Sequence, residues 1–125
     1  MQTDKQALGQ LGEDLAADFL EKNGYRIVAR NIHFSKNELD IVAEDDGYIV
    51  FVEVKTRSCL YPESNGYGTP GRAVDHKKRG NTVKAAKDYL LKNYVTKQPR
   101  IDVVEVYLEN GTTRINHIKD WEKKL

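Results

Sequence analysis

The chain has 125 residues, of which 39% are hydrophobic and 31% charged, with a formal net charge of +1. This length suits one domain with a genuine core, so we expect a single domain over residues 1–125. No apolar run approaches the roughly 20 residues of a membrane span. The single cysteine, Cys59, excludes an intramolecular disulfide and a cysteine-rich zinc site, and it predicts a reducing, cytoplasmic location.

Hydrophobic spacing and turn residues predict the element order αβββαββ. The predicted bounds are a helix over 4–23, strands over 25–34, 38–44 and 48–57, a helix over 72–94, and strands over 100–108 and 112–118. Glycines and prolines in 58–71 predict an irregular loop. Because a helix joins the third strand to the fourth, those two strands should run parallel. The expected fold class is α/β, with helices packed on a central mixed sheet.

The second and third strands should form a hairpin, because Asp46-Gly47 between two apolar runs indicates a two-residue turn. That turn would place Asp40 opposite Glu53 and Glu38 opposite Lys55. Alternation then predicts two faces. One would carry Leu39, Ile41, Ala43, Val50, Val52 and Val54, and the other Glu38, Asp40, Val42, Phe51, Glu53 and Lys55.

Two carboxylates on neighbouring strands indicate a metal site. Opposed acidic side chains destabilise a sheet unless a partner compensates them, and Mg²⁺ or Mn²⁺ prefers such hard oxygen ligands. Asp40 and Glu53 would be the ligands, and the Val54 carbonyl could add a third. Lys55, on the same face as Glu53, could orient or deprotonate an attacking water, or neutralise charge on a phosphate. The alternative is a solvated ladder of cross-strand salt bridges, since Glu-x-Lys is common by chance.

Basic residues cluster around the second predicted helix. The cluster comprises His76-Lys77-Lys78-Arg79, Lys84 and Lys87, with Arg57 and Arg72 before it. These cations could contact a nucleic-acid backbone, although such a run also suits a solvated helix face. On the first helix, Glu13 flanks the apolar stripe, where a solvated glutamate is the simpler interpretation.

Taken together, the motifs resemble those of the YraN family, also called UPF0102, of small bacterial proteins. The matching segments are Gly9-x-x-Gly12-Glu13, Arg30-Asn31, 38–42, 51–57, Lys77 and 102–104. That family is similar to the restriction-endonuclease-like PD-(D/E)XK nucleases, to Holliday-junction resolvases and to the tRNA-endonuclease-like superfamily. The resemblance implies a restriction-endonuclease-like fold for nearly the whole chain.

Carried over residue by residue, the resemblance implies that Asp40 and Glu53 are metal ligands and that Lys55 is the catalytic lysine. It implies that Glu13 is a helix carboxylate facing the site and that Lys77 lies near the phosphates. The sequence departs from the family at Asn37, where glycine is common, and at Gly80-Asn81, where the helix is expected to bend.

The leading hypothesis is a Mg²⁺- or Mn²⁺-dependent endonuclease-like hydrolase that cleaves phosphodiesters in DNA, including branched DNA. Arg57, Arg72, Lys77, Lys78 and Lys84 would position the backbone. The alternatives are a nucleic-acid-binding module that does not cut, and a structural or interaction domain. Resolvase-like nucleases often act as dimers, so the resemblance also implies a homodimer. No membrane partner is expected.

Overall fold

The computed structural model describes residues 4–58 and 76–122. Its elements, in chain order, are α1 (Asp4–Lys22), β1 (Arg26–Phe34), β2 (Asn37–Glu44), β3 (Tyr48–Ser58), α2 (His76–Lys92), β4 (Gln98–Glu109) and β5 (Thr112–Glu122). This order confirms the predicted αβββαββ arrangement. The helix α2 is continuous through Gly80-Asn81.

The strands described form one five-stranded mixed sheet in the order β1-β2-β3-β4-β5. The pairing of β3 with β4 is parallel, whereas the other neighbouring pairs are antiparallel. The helix α2 lies between β3 and β4 along the chain, so the predicted crossover is confirmed. This architecture agrees with the restriction-endonuclease-like fold expected from the sequence.

Each face of the sheet is covered by one helix. The α1 side of the core comprises Ala16, Ala17, Leu20, Tyr25, Ile41, Ala43, Val50, Val52, Val54, Val104 and Val106. The α2 side comprises Phe34, Leu39, Val42, Ile49, Phe51, Ala85, Ala86, Tyr89 and Ile101. Residues of β3 occur in both sets, so β3 is a central strand buried on both faces. Neither helix, over the residues described, is both long and apolar enough to cross a membrane.

The close approach of α1 to β3 occurs at Gly12. A methyl group added there would lie 2.8 Å from both Cβ and Cγ2 of Thr56, which is far inside normal contact distance. Glycine at this position therefore lets the helix backbone lie directly on the strand. At the other end of α1, the Asn23 backbone N–H and side-chain amide both donate to the Phe19 carbonyl, and Gly24 follows at φ +90°.

The hairpin of β2 and β3 has the predicted register next to its turn, from the pair of Glu44 with Ile49 to that of Ile41 with Val52. The side chain of Asp45 stabilises the turn by accepting from the N–H groups of Gly47 and Tyr48, at 3.1 and 2.9 Å. Among the described pairs, the ladder ends at Ile41 and Val52. The predicted backbone pairings of Asp40 with Glu53 and of Glu38 with Lys55 are therefore wrong.

The predicted position of Leu39 is also wrong. It packs on the α2 side, although Ile41, two residues later, packs on the α1 side. In β1, Arg30 pairs with Ile41 and Ile32 with Leu39, while Asn31 between them has a φ of +53°. This left-handed residue interrupts the pleat, so simple alternation does not extend through the strand end that carries Asp40.

Candidate functional site

The side chain of Glu53 is the most unusual charged group of β3. It is only 3% exposed, on the strand face covered by α2. One carboxylate oxygen, Oε1, accepts a 3.1 Å hydrogen bond from the hydroxyl of Thr82 on α2. The other, Oε2, is buried and has no hydrogen-bond partner in the described part of the chain. A buried carboxylate oxygen without a partner is energetically costly, so its retention here needs an explanation.

Asp40 lies beside Glu53 by a route different from the predicted one. Its Oδ2 accepts a 2.8 Å hydrogen bond from the backbone N–H of Val54. The Asp40 side chain thus accepts a hydrogen bond that a backbone carbonyl of β2 would accept in a regular sheet. It does so where the β2 backbone separates from β3. This bond fixes the Asp40 carboxylate next to the residue that follows Glu53, and it brings the two predicted metal-binding side chains to the same end of the hairpin.

Lys55 is half-buried on β3 and is the register partner of Glu105 on β4. The Glu105 side chain is fully buried and accepts a 2.8 Å hydrogen bond from the Asn116 amide on β5. The sequence analysis did not single out Glu105, because a glutamate between valines looks like the solvent-facing residue of an alternating strand. Only the position of β4 inside the sheet reveals that this carboxylate is interior.

Arg57, predicted to contact a nucleic-acid backbone, is 6% exposed. Burial lowers the pKa of its guanidinium below the ordinary value, and Glu105, Tyr107 and Glu53 act in the opposite direction. The pKa of Tyr107 is raised, chiefly by burial and then by Glu105. Arg57 therefore belongs to an interior polar cluster beside the acidic site, and its predicted contact with phosphate stays a prediction.

Glu13 lies on the other side of the sheet. It accepts hydrogen bonds from Nε and Nη2 of Arg30, at 3.3 and 3.2 Å. Arg30 also donates to Asp14 at 2.6 Å. Arg30 pairs with Ile41, which belongs to the α1-side core, whereas Glu53 bonds to α2. The structure thus places the Glu13 carboxylate against Arg30 on the α1 layer, opposite to the layer of Glu53.

Of the residues predicted to contact nucleic acid, only some have described side chains. Lys84 is exposed on α2. Lys77 and Lys78 lie within the first turns of α2, but their side chains are outside the described atoms, and Arg72 lies outside the described residues.

The carboxylates of Glu53 and Asp40 have the right chemistry for a hard divalent cation, but they are only two acidic groups. The unpartnered, buried Oε2 of Glu53 has the chemistry of a Mg²⁺ or Mn²⁺ ligand, and the carboxylate of Asp40 is the second acidic group. Within the described ranges, no three aspartate, glutamate, histidine or cysteine side chains form a group that could hold a metal. Such a cation would therefore keep most of its positions for water and substrate, as Mg²⁺ usually does.

A second buried ionic cluster surrounds Asp102. The Asp102 carboxylate accepts from Nε and Nη2 of Arg100 at 2.8 and 2.9 Å, from the N–H of Asp120 at 2.9 Å, and contacts Nε2 of His117 at 2.7 Å. Burial acts to raise the pKa of Asp102, but His117, Arg100 and the Asp120 N–H together lower it. Arg100 also donates to the Tyr25 hydroxyl at 2.9 Å, so the cluster joins β4, β5 and the segment after α1.

The fold and site together define an α/β domain with a five-stranded mixed sheet and a buried carboxylate on its central strand. The family model "Uncharacterised protein family UPF0102" matches residues 12–106. The chain therefore belongs to this family, which confirms the resemblance drawn from its motifs.

Curated relatives match nearly the whole chain. A UPF0102 protein of Syntrophomonas wolfei is 49% identical over 113 residues, covering 89% of this chain and 93% of the relative. One of Persephonella marina is 42% identical over 113 residues, covering 90% of each. One of Flavobacterium psychrophilum is 39% identical over 113 residues, covering 90% of this chain and 91% of the relative.

Proposed function

We propose that this protein is a Mg²⁺- or Mn²⁺-dependent nuclease of the PD-(D/E)XK type that hydrolyses phosphodiesters in DNA, including branched DNA, in the cytoplasm. The observation that carries the proposal is the Oε2 of Glu53, which is buried and unpartnered among the described residues. A divalent cation is the partner that would compensate this charge.

The roles of the remaining groups follow from their positions. Asp40 and Glu53 hold the cation, with the Val54 carbonyl as a further donor. The N–H of Val54 restrains Asp40, and the Thr82 hydroxyl restrains Glu53, so both carboxylates are oriented before substrate binds. The cation, when bound, acidifies water and stabilises negative charge at phosphorus.

Lys55 extends from the same strand face as Glu53, two residues further along β3. From there its ammonium orients the attacking water or neutralises charge on the phosphate. Arg57 is a buried cation that interacts electrostatically with Glu53 and Glu105. The DNA backbone is bound by Arg72, Lys77, Lys78 and Lys84. Glu13, the helix carboxylate implied by the resemblance, is held by Arg30 on the α1 side of the sheet.

The decisive experiment measures Mn²⁺- and Mg²⁺-dependent cleavage of a panel of linear, forked and four-way-junction DNA substrates. Wild type should cleave, whereas Asp40→Asn, Glu53→Gln and Lys55→Ala should each lose about 10²-fold or more in rate. The matched control is Asp18→Asn, which neutralises an exposed carboxylate on α1 that pairs only with Lys22 among the described ion pairs. Equal cleavage by wild type and all three site variants would refute the catalytic assignment.

One observation favours a second candidate, a nucleic-acid-binding module that does not cut. No group of three potential metal ligands occurs within the described ranges, so the site has fewer acidic ligands than many metal centres. Under this alternative, the protein binds DNA with a strong salt dependence but shows no turnover in either cation. The same substrate panel distinguishes the two functions. Sedimentation of the wild type tests the homodimer implied by the resemblance.

A further inference from the structure

The helix α2 concentrates positive charge. Its residues 76–92 include six lysines and arginines and one acidic residue, in a chain whose formal net charge is only +1. The buried side of the helix consists of Thr82, Ala85, Ala86 and Tyr89. The opposite side carries Lys84, Lys87 and Leu91, which are spaced three and four residues apart and are all exposed.

Two large apolar side chains are exposed at the C-terminal end of α2, Leu91 inside the helix and Tyr94 two residues after it. Leu91 is 85% exposed and Tyr94 is 95% exposed, which are the highest values among the exposed large hydrophobic residues described. A tyrosine normally buries much of its ring, so a ring that is almost fully exposed is available to a ligand. We call Lys84, Lys87, Leu91 and Tyr94 the outer stripe of α2.

We propose that the outer stripe binds an unpaired nucleic-acid strand, with Tyr94 as a stacking platform for a base. The positive charge of α2 favours binding of a polyanion over binding of a neutral protein. Proteins that bind single strands combine a basic track for the backbone with aromatic side chains on which bases stack. Lys84 and Lys87 provide the track, and Leu91 adds apolar surface on the same side of the helix.

The stripe is connected to the proposed catalytic site through α2 itself. Thr82 bonds to Glu53, and the helix continues to Lys92, a length of about 15 Å at 1.5 Å per residue. Along the helix axis, the part of the stripe within α2 therefore lies within about 15 Å of Thr82, on the opposite side of the helix. This inference rests on the proposed function and narrows it, because it predicts a preference for DNA that contains an unpaired segment.

Binding is measured by fluorescence anisotropy in EDTA, so that turnover cannot contribute. The probes are a blunt duplex and the same duplex with a single-stranded tail. Tyr94→Ala should weaken binding to the tailed probe about tenfold while leaving the blunt duplex unaffected, and Tyr94→Phe should preserve binding. Replacing both Lys84 and Lys87 by alanine should reduce the salt dependence of tailed-probe binding by about 0.7 per lysine.

Lys119→Ala is the matched control, since Lys119 is an exposed cation on β5, away from α2. Equal weakening by Lys119→Ala and the α2 lysine variants would overturn the proposal. So would unchanged tailed-probe binding by Tyr94→Ala, or a wild-type dimer that Tyr94→Ala converts to a monomer in sedimentation. Because these experiments measure binding and not cleavage, their results can be interpreted even if the catalytic assignment fails.

Discussion

Two glycines of α1 provide a matched test of how the helix packs on the sheet. Gly9 and Gly12 are three residues apart in the same helix. A methyl group added at Gly9 meets no atom within 4 Å, whereas one at Gly12 meets Thr56. We therefore expect Gly9→Ala to stabilise the protein and Gly12→Ala to destabilise it.

The magnitudes follow from the distances. At Gly9, alanine gains about 0.5–1 kcal/mol of helix propensity without a contact cost. At Gly12, the new carbon would be 2.8 Å from both Cβ and Cγ2 of Thr56, about 1 Å too close. A rotation about χ1 moves Cγ2 but leaves Cβ in place, so the helix itself must shift. Overpacking of this kind costs about 1–3 kcal/mol. Because both variants gain the same helix propensity, they should differ by this overpacking cost, about 1–3 kcal/mol.

Urea unfolding followed by circular dichroism measures this difference, with the slope m checked to be constant. Thr56→Ala combined with Gly12→Ala should recover part of the loss, because it removes Oγ1, the nearest atom, and Cγ2 but retains the Cβ at 2.8 Å. Thr56→Ala alone completes the double-mutant cycle. If Gly12→Ala is as stable as Gly9→Ala, α1 does not approach β3 as described, and the reasoning is refuted.

Two further predictions concern buried carboxylates. Asp102→Asn should cost about 3–5 kcal/mol, because it leaves the guanidinium of Arg100 without its buried counter-charge. An unchanged melting temperature would contradict this. Since the Asp102 pKa is lowered, its contribution is present above the ordinary value of 3.8 and is lost as pH falls below it, so acid unfolding of the Asn variant should depend less on pH. Glu53→Gln should raise the melting temperature in EDTA, because it removes a buried charge while the Thr82 hydroxyl can still donate. The same variant should abolish the stabilisation of the protein by Mn²⁺. A lower melting temperature in EDTA would exclude this explanation.

The sequence analysis succeeded where a local pattern determines the structure. Apolar periodicity predicted the order of elements, and the helix between two strands predicted the parallel pair of β3 and β4. The last hairpin turns at Asn110-Gly111, where both residues have positive φ, +47° and +79°, as this dipeptide favours. Asp46-Gly47 predicted the register from Glu44 and Ile49 onward, although it is the Asp45 side chain that holds this turn.

The failures arise where a side chain replaces the backbone or where distant segments meet. Asp40 bonds to the N–H of Val54 through its carboxylate, which strand alternation cannot reveal. The burial of Glu105 depends on β5 covering β4, and the hydrogen bond from Arg100 to Tyr25 joins residues 75 positions apart. Neither the burial of Glu105 nor the hydrogen bond from Arg100 to Tyr25 can be predicted from the residues that are close to them in sequence.

The parallel pairing of β3 with β4 also has a consequence for folding. Its partners, from Tyr48 with Gln98 to Ser58 with Leu108, are always 50 positions apart, whereas the hairpins join near neighbours. Closing so long a loop costs more entropy than closing a hairpin, so we expect the meander of β1–β3 and the hairpin of β4–β5 to form first. Glu53 would then become enclosed only when the two halves dock. The burial of this carboxylate would therefore be a late step in folding.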